Sequence, residues 1–166
     1  DLNSLVQRTL SLVEHELKLA DVTAKLCLSP DLPPIPCDPS QIQQVILNLV
    51  MNAAEATLNR ECGQINIETR LAGGKQAIEL VIEDNGEGMA PEVLKRIFDP
   101  FFTTKSEGKG VGLGLAVLYG IVQAHDGDVE VSSAPGQGTR FVVTLPLDGT
   151  PPVAADGHSS ASAACG

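Results

Sequence analysis

The sequence predicts a two-layer α/β (α+β) sandwich, in which a mixed, largely antiparallel sheet carries helices on one face. Hydrophobic spacing switches between steps of three or four residues and strict alternation, so that the elements run α, β, α, β, β, α, α, β, β. The alternating runs of the later chain come in adjacent pairs joined by short turns rich in glycine or proline, which is the pattern of antiparallel hairpins. At 166 residues the chain has room for one sizeable core and little room for two.

Each element has its own signal. From Leu2 to Ala20, the apolar residues Leu2, Leu5, Val6, Leu10, Val13 and Leu17 make one stripe of an amphipathic helix. The run VTAKLCLS after Asp21 alternates and is rich in β-formers, and the prolines of PDLPPIP end it. Asp38 before Pro39, with Gln41 three residues on, is a helix start with a capping acid, and a long helix is expected over residues 39–59. QINIETRLA and QAIELVIED read as strands joined at Gly73-Gly74, a dipeptide that favours a tight hairpin turn. A short helix is expected near PEVLKRIF and another over 112–124. The strands DVEVSSA and TRFVVTLP follow, with Pro135 to Gly138 as their turn. Residues 1–147 are read as the folded domain. The stretch 148–166, almost all small, polar or proline, is read as a tail or linker.

Composition excludes several classes of function. With 21 Asp+Glu against 11 Lys+Arg the formal charge is −10, which opposes attraction to nucleic acid or to anionic membranes. No apolar stretch has the length of a membrane span. The chain starts at Asp1 without a signal peptide and reads as an excerpt from a longer protein. Cys27, Cys37, Cys62 and Cys165 form no C-x-x-C pair, so free thiols in a reducing, cytoplasmic compartment are expected.

Four stretches carry the chemistry. On the long helix Ile42, Val45, Ile46, Leu49 and Ala53 make the core face, while Gln44, Asn48, Asn52, Glu55 and Asn59 form a polar row on another. Such a row is ordinarily a solvated face, but solvated faces carry lysine, and Gln41–Asn59 contains no basic residue. Neutral amide oxygens beside one carboxylate suit Mg²⁺, which takes few protein ligands and completes its shell with water and phosphates. Asp84-Asn85-Gly86-Glu87-Gly88-Met89 follows the strand IELVIE directly. It reads either as a simple turn or as a place where a flat ligand approaches backbone while a buried carboxylate accepts from an exocyclic amine such as that of adenine. Gly108, Gly110, Gly112 and Gly114 alternate before a helix, flanked by Lys105 and Lys109. Peptide N–H groups there suit phosphate oxygens, although the spacing is neither a P-loop nor a dinucleotide fingerprint. Finally, Phe98 reads as core, whereas Phe101 and Phe102, beside Thr103 and Thr104, suit a lid anchored by aromatics over a ligand.

In this order the four stretches resemble the ATP-binding catalytic domain of sensor histidine kinases, in the superfamily shared with gyrase, heat-shock chaperones and mismatch-repair ATPases. QVILNLVMNAAEA resembles the N box, DNGEGM the G1 box, FDPFFTTK the F box, and GVGLGLAVLYGIVQAHDGDVEVSSAPGQGTRFVVTLP the G2 box with its closing hairpin. The F box is most similar to that of nitrogen-regulation-type kinases.

The resemblance implies a Bergerat-type fold that binds ATP and Mg²⁺. It implies that Asn52 ligates magnesium, that Asn48 supports the metal or the phosphates, and that Lys105 contacts the γ-phosphate, so that Asn48 and Lys105 are the catalytic candidates. Glu55 is placed with the nucleotide. Asp84 reads the adenine amine, Gly86, Gly88 and Met89 line the base, and Thr139 lies near it. Phe101, Phe102, Thr103, Thr104, Lys109, Gly110, Gly112, Leu113 and Gly114 belong to the lid and phosphate loop. The implied reaction passes the γ-phosphoryl group to a histidine on an upstream dimerisation hairpin, and from there to an aspartate of a response regulator.

His15, in VEHELKLAD, superficially resembles the family's acceptor motif, but no proline follows within the next turns, and it is read as an exposed helix residue. His125 and His158 are weaker candidates still. Two rival functions stand beside the kinase. One is an ATP-hydrolysing clamp of the same superfamily, whose glutamate base would occupy the place of Asn48. The other is a nucleotide-switched binding module without chemistry.

Overall fold

Local signals account for most element boundaries in the computed structural model, which describes residues 1–74, 76–104 and 112–149. Helix α1 spans Leu2–Leu19 and starts where the Asp1 carboxylate accepts from the Ser4 N–H. It buries Leu2, Leu5, Val6, Val13 and Leu17. The sixth core position of this helix is Thr9 and not Leu10, which is only partly buried. The Thr9 hydroxyl donates to Leu5 O at 2.7 Å, so the buried polar group is satisfied within its own helix.

Strand β1, Val22–Leu28, leads through the proline-rich loop to helix α2, Pro39–Ala56. Asp38 caps α2 by accepting from Ser40 N–H at 2.9 Å and Gln41 N–H at 3.3 Å. The return half of a capping box, in which Gln41 would reach back, is replaced: the Asp38 N–H donates to His125 Nε2 at 3.1 Å. The helix is three residues shorter than expected and closes at Thr57, so Asn59 lies beyond it.

Strands β2, Gly63–Leu71, and β3, Ala77–Asp84, form the first hairpin. Their connection is wider than the tight turn expected at Gly73-Gly74, because the closing hydrogen bond runs from Ala72 N–H to Ala77 O. One turn of helix, α3, occupies Pro91–Leu94. Helix α4 runs Gly114–Ala124, starting two residues later than expected. The second hairpin is β4, Asp128–Ser133, with β5, Thr139–Pro146.

The sheet order is β1-β2-β3-β5-β4, parallel only between β1 and β2. Helices α1, α2 and α4 pack against it and enclose Ile42, Ile46, Leu49, Ile65, Ile67, Ile78, Leu80, Ile82, Leu118 and Val143. On the opposite face Arg70 pairs with Glu79 at 2.7 Å and with Glu68 at 3.3 Å, and Val81, the register partner of Glu68, is buried on that face. This is the expected α/β sandwich.

Candidate functional site

Alternation along β3 puts Ile78, Leu80, Ile82 and Asp84 on the same, helix-covered face of the sheet. On β5 the same parity gives Thr139, Phe141, Val143 and Leu145. The register sets Asp84 opposite Ile65 on one side and Thr139 on the other. A carboxylate thus terminates an otherwise apolar sheet face, and it is 7% exposed. Burial pushes the Asp84 carboxyl above the ordinary carboxylate range, the Gly86 and Thr139 backbone N–H groups pull it back, and neighbouring Glu83 pushes it up again. The Gly86 N–H donates to Asp84 Oδ1 at 2.8 Å. A buried acceptor held in this way suits an uncharged donor such as an exocyclic amine.

The loop after β3 is held from several directions. Asn85 pins it to the start of β2, accepting from Gln64 N–H and donating to Cys62 O, both at 2.8 Å. The Glu87 N–H donates to Ala56 O at the end of α2 at 3.1 Å. The Met89 N–H donates to Ser133 Oγ at 2.8 Å. Gly86 allows this closeness: a Cβ there would stand 2.5 Å from Ala56 O and 2.7 Å from Asp84 Oδ1. Ser133 Oγ in turn donates to Gly138 O and shares a hydrogen bond with Thr139 Oγ1, each at 2.9 Å.

Along α2 the polar row resolves into distinct tasks. Gln44 Nε2 donates to Asn48 Oδ1 at 3.0 Å, and Asn48 Nδ2 donates to Gly114 O at 2.9 Å, which ties α2 to the first turn of α4. Asn52 is half-buried and Glu55 exposed. Asn48 meets the N-terminal end of α4, and Ala56 meets the loop after Asp84. Eight residues of α2, about 12 Å of helix, therefore separate an anion-favouring helix start from the buried carboxylate.

Phe98 packs on the core and on the Tyr119 ring, with centroids 5.1 Å apart. The Arg96 guanidinium lies 4.5 Å over the Phe102 ring. Phe101 is 70% exposed, and its N–H donates to Gly112 O at 3.0 Å. Thr103 and Thr104 are exposed, and Leu113 immediately precedes α4. Lys105, Lys109 and Gly110 lie outside the described residues, as does His158.

The donor set fits a magnesium ion carried on a nucleotide better than a metal caged by protein. Among the described residues no cluster of three or more His, Cys, Asp or Glu side chains is placed to hold a metal. Asn52 and Glu55, three residues apart on α2, carry oxygen donors of the hard kind that Mg²⁺ accepts.

Two supporting residues escape motif reading. Ser133 is recognisable only through the β4–β5 register that sets it opposite Thr139. Arg60 bonds two carbonyls of distant loops, and its sequence signal is slight: it is the first cation after a helix that has none.

The family described as "Histidine kinase-, DNA gyrase B-, and HSP90-like ATPase" matches residues 37–149. Sensor histidine kinase ZraS of Escherichia coli O157:H7 is 37% identical over 148 residues, covering 89% of this chain and 31% of the relative. Signal transduction histidine-protein kinase AtoS of Escherichia coli (strain K12) is 44% identical over 148 residues, 89% of this chain and 23% of the relative. The chain thus spans less than a third of either curated relative. The nucleotide-free catalytic domain of histidine kinase ThkA superposes with a TM-score of 0.76 at 28% identity, covering 89% of this chain and 95% of that one. Full-length ShkA in complex with AMPPNP gives 0.78 at 27% identity, covering 92% and 31%. Among the described residues no helix is long and apolar enough to cross a membrane.

Proposed function

The chain belongs to the histidine kinase-, DNA gyrase B-, and HSP90-like ATPase family, and from that premise we propose that it binds Mg-ATP and donates the γ-phosphoryl group to a histidine on a separate dimerisation hairpin. In the parent protein this step starts two-component signalling, and the phosphoryl group passes on to an aspartate of a response regulator. The observation that carries the reading is the buried Asp84 carboxylate, set by Gly86 and Thr139 N–H groups at the end of β3, one α2 half-length from the start of α4.

Asp84 accepts from the adenine amine, with Gly86, Gly88, Met89 and Thr139 around the base. The phosphates run along α2 toward the first turn of α4, where backbone N–H groups favour anionic oxygen. Asn52, with Asn48 and Glu55 near it, would hold Mg²⁺, which neutralises phosphate charge in the transfer. Phe101 to Thr104 and Gly112 to Gly114 border the phosphates, and Lys105, outside the described residues, is the candidate for the γ-phosphate contact. In the reaction a neutral imidazole nitrogen of the hairpin forms the N–P bond as the bond from γ-phosphorus to the bridging oxygen breaks, and ADP leaves. The chain's task is to hold that phosphorus in line.

One observation favours transfer over hydrolysis, and a second favours an acceptor on a separate element. The position one turn before Asn52 holds Asn48, whose amide already donates to Gly114 O and is no base. Of the described histidines, His15 is exposed on α1. His125 is buried, with Nε2 accepting from Asp38 N–H and Nδ1 donating to Ile121 O at 2.8 Å, so it offers no free nitrogen.

The test is to incubate the chain with radiolabelled Mg-ATP, alone and with a matching dimerisation hairpin in trans. Acid-labile, base-stable label on the hairpin, with little on the chain and slow hydrolysis, is expected. ATP binding with no transfer to the hairpin would favour the nucleotide-switched module, and strong self-labelling abolished by His15→Gln would place the acceptor within this chain.

A further inference from the structure

Arg60 lies beyond α2, and a single nitrogen of its guanidinium, Nη2, donates to Gly86 O at 2.8 Å and to Gly136 O at 2.9 Å. Both hydrogens of that nitrogen are therefore used, on loops 26 and 76 residues away. The first carbonyl belongs to the Gly86–Glu87 peptide, whose own N–H is taken by Ala56 O at 3.1 Å. With both ends bonded, that peptide cannot rotate without losing two hydrogen bonds. Gly86 then presents its N–H to Asp84 Oδ1. The second carbonyl lies in the β4–β5 turn, where Gly136 N–H also reaches Glu87 O at 2.6 Å. Three residues further on is Thr139, the partner of Asp84 across β3 and β5, whose backbone N–H lowers the Asp84 carboxyl.

We propose that Arg60 is a positioning residue for base recognition: one guanidinium locks together the Gly86 loop, which donates to the Asp84 carboxylate, and the turn that leads into Thr139, its register partner, and so fixes the orientation in which the carboxylate meets the base. The inference rests on the nucleotide reading above. The side chain is exposed and borders an open cavity of about 580 Å³ lined also by Asn59, Asn85 and Gln137. Water can therefore reach the carbonyls when the guanidinium is removed, and the fold survives while the geometry loosens.

The test compares the parent, Arg60→Met and Arg60→Lys by calorimetric titration with ATP, GTP and inorganic triphosphate in saturating Mg²⁺, with thermal melting alongside. Arg60→Met keeps the aliphatic stem and should bind ATP about tenfold more weakly, the worth of one misaligned charge-assisted hydrogen bond. Its preference for ATP over GTP should fall by a similar factor, while triphosphate affinity stays at the parent value. Arg60→Lys keeps the charge and a nitrogen with donors for both carbonyls, but that nitrogen sits one bond nearer the backbone than Nη2, and the variant should lose most of the same preference. Should Arg60→Met unfold, Arg60→Lys is judged by the same ratios. Equal losses for ATP and triphosphate would mean that Arg60 merely attracts phosphate, and an unchanged ATP:GTP ratio in either folded variant would remove it from base recognition. Both results overturn the proposal. A parent that binds no ATP at all would overturn the nucleotide reading and this inference with it.

Discussion

Gly138 and Gly136 sit in the same turn with nearly the same backbone, φ of +75° and +77°, yet they face different surroundings. A Cβ on Gly136 would meet nothing within 4 Å. One on Gly138 would stand 2.9 Å from the Asp84 carbonyl carbon and 3.2 Å from Asn85 Cα, and closer still to the Asp84 carbonyl oxygen. Gly136→Ala therefore bears only the left-handed backbone cost, about 1–2 kcal/mol. Gly138→Ala bears that cost and an overpacking cost of about 1–3 kcal/mol more, since the obstacle is backbone and cannot turn aside. At about 2–4 °C per kcal/mol for a domain of this size, Gly138→Ala should melt several degrees below Gly136→Ala. The functional consequence separates the pair further. The intruding methyl group pushes on Asp84 and Asn85, so Gly138→Ala should lose the stabilisation by Mg-ATP, about 2.7 kcal/mol at a hundredfold excess over Kd, that Gly136→Ala retains. Scanning fluorimetry with and without Mg-ATP reads both effects. Equal melting points for the two variants, or full ATP stabilisation of Gly138→Ala, would refute the argument that the β5 start must touch Asp84 backbone.

Asp84→Asn should weaken ATP about tenfold and reduce its advantage over GTP, because a charge-assisted acceptor becomes a neutral one. Burial raises the folded-state carboxyl above its unfolded value, so the unfolded chain ionises first as pH rises and Asp84 costs stability above the ordinary carboxylate range. The nucleotide-free variant should therefore melt no lower than the parent near neutral pH, and parent ATP affinity should fall as pH drops through the raised value; a variant that melts far below the parent would contradict the sign. Asn52→Ala, at a half-buried helix position, should leave the unfolding stability within about 0.5 kcal/mol of the parent yet abolish most Mg²⁺-dependent ATP affinity. Unchanged calorimetric affinity in saturating Mg²⁺ would end the metal role. His125→Leu deprives the Asp38 N–H of its acceptor and should cost about 1–3 kcal/mol in urea unfolding, and an unaltered midpoint would show that water replaces the imidazole.

Much of this protein was legible in its residues taken singly and in short runs. Helix starts, such as Asp38-Pro39, and alternating strands depend on neighbours within a few positions, where spacing is the physics. The same rule reaches into the site: because Ile78, Leu80, Ile82 and Asp84 share one parity, burial of the first three places the fourth on the core side. Finer boundaries were not legible, since the end of α2 at Ala56 and the choice of Thr9 over Leu10 are settled by what each surface meets. Only the tertiary structure decided that β1 pairs parallel with β2 and that β5 lies between β3 and β4. It also decided that Asn48 reaches Gly114, that Arg60 joins Gly86 to Gly136, and that His125 completes the cap of α2 from 87 residues away. These contacts are single hydrogen bonds between groups that packing brings together, and a donor's sequence carries no record of which distant carbonyl or imidazole the folded chain will set before it.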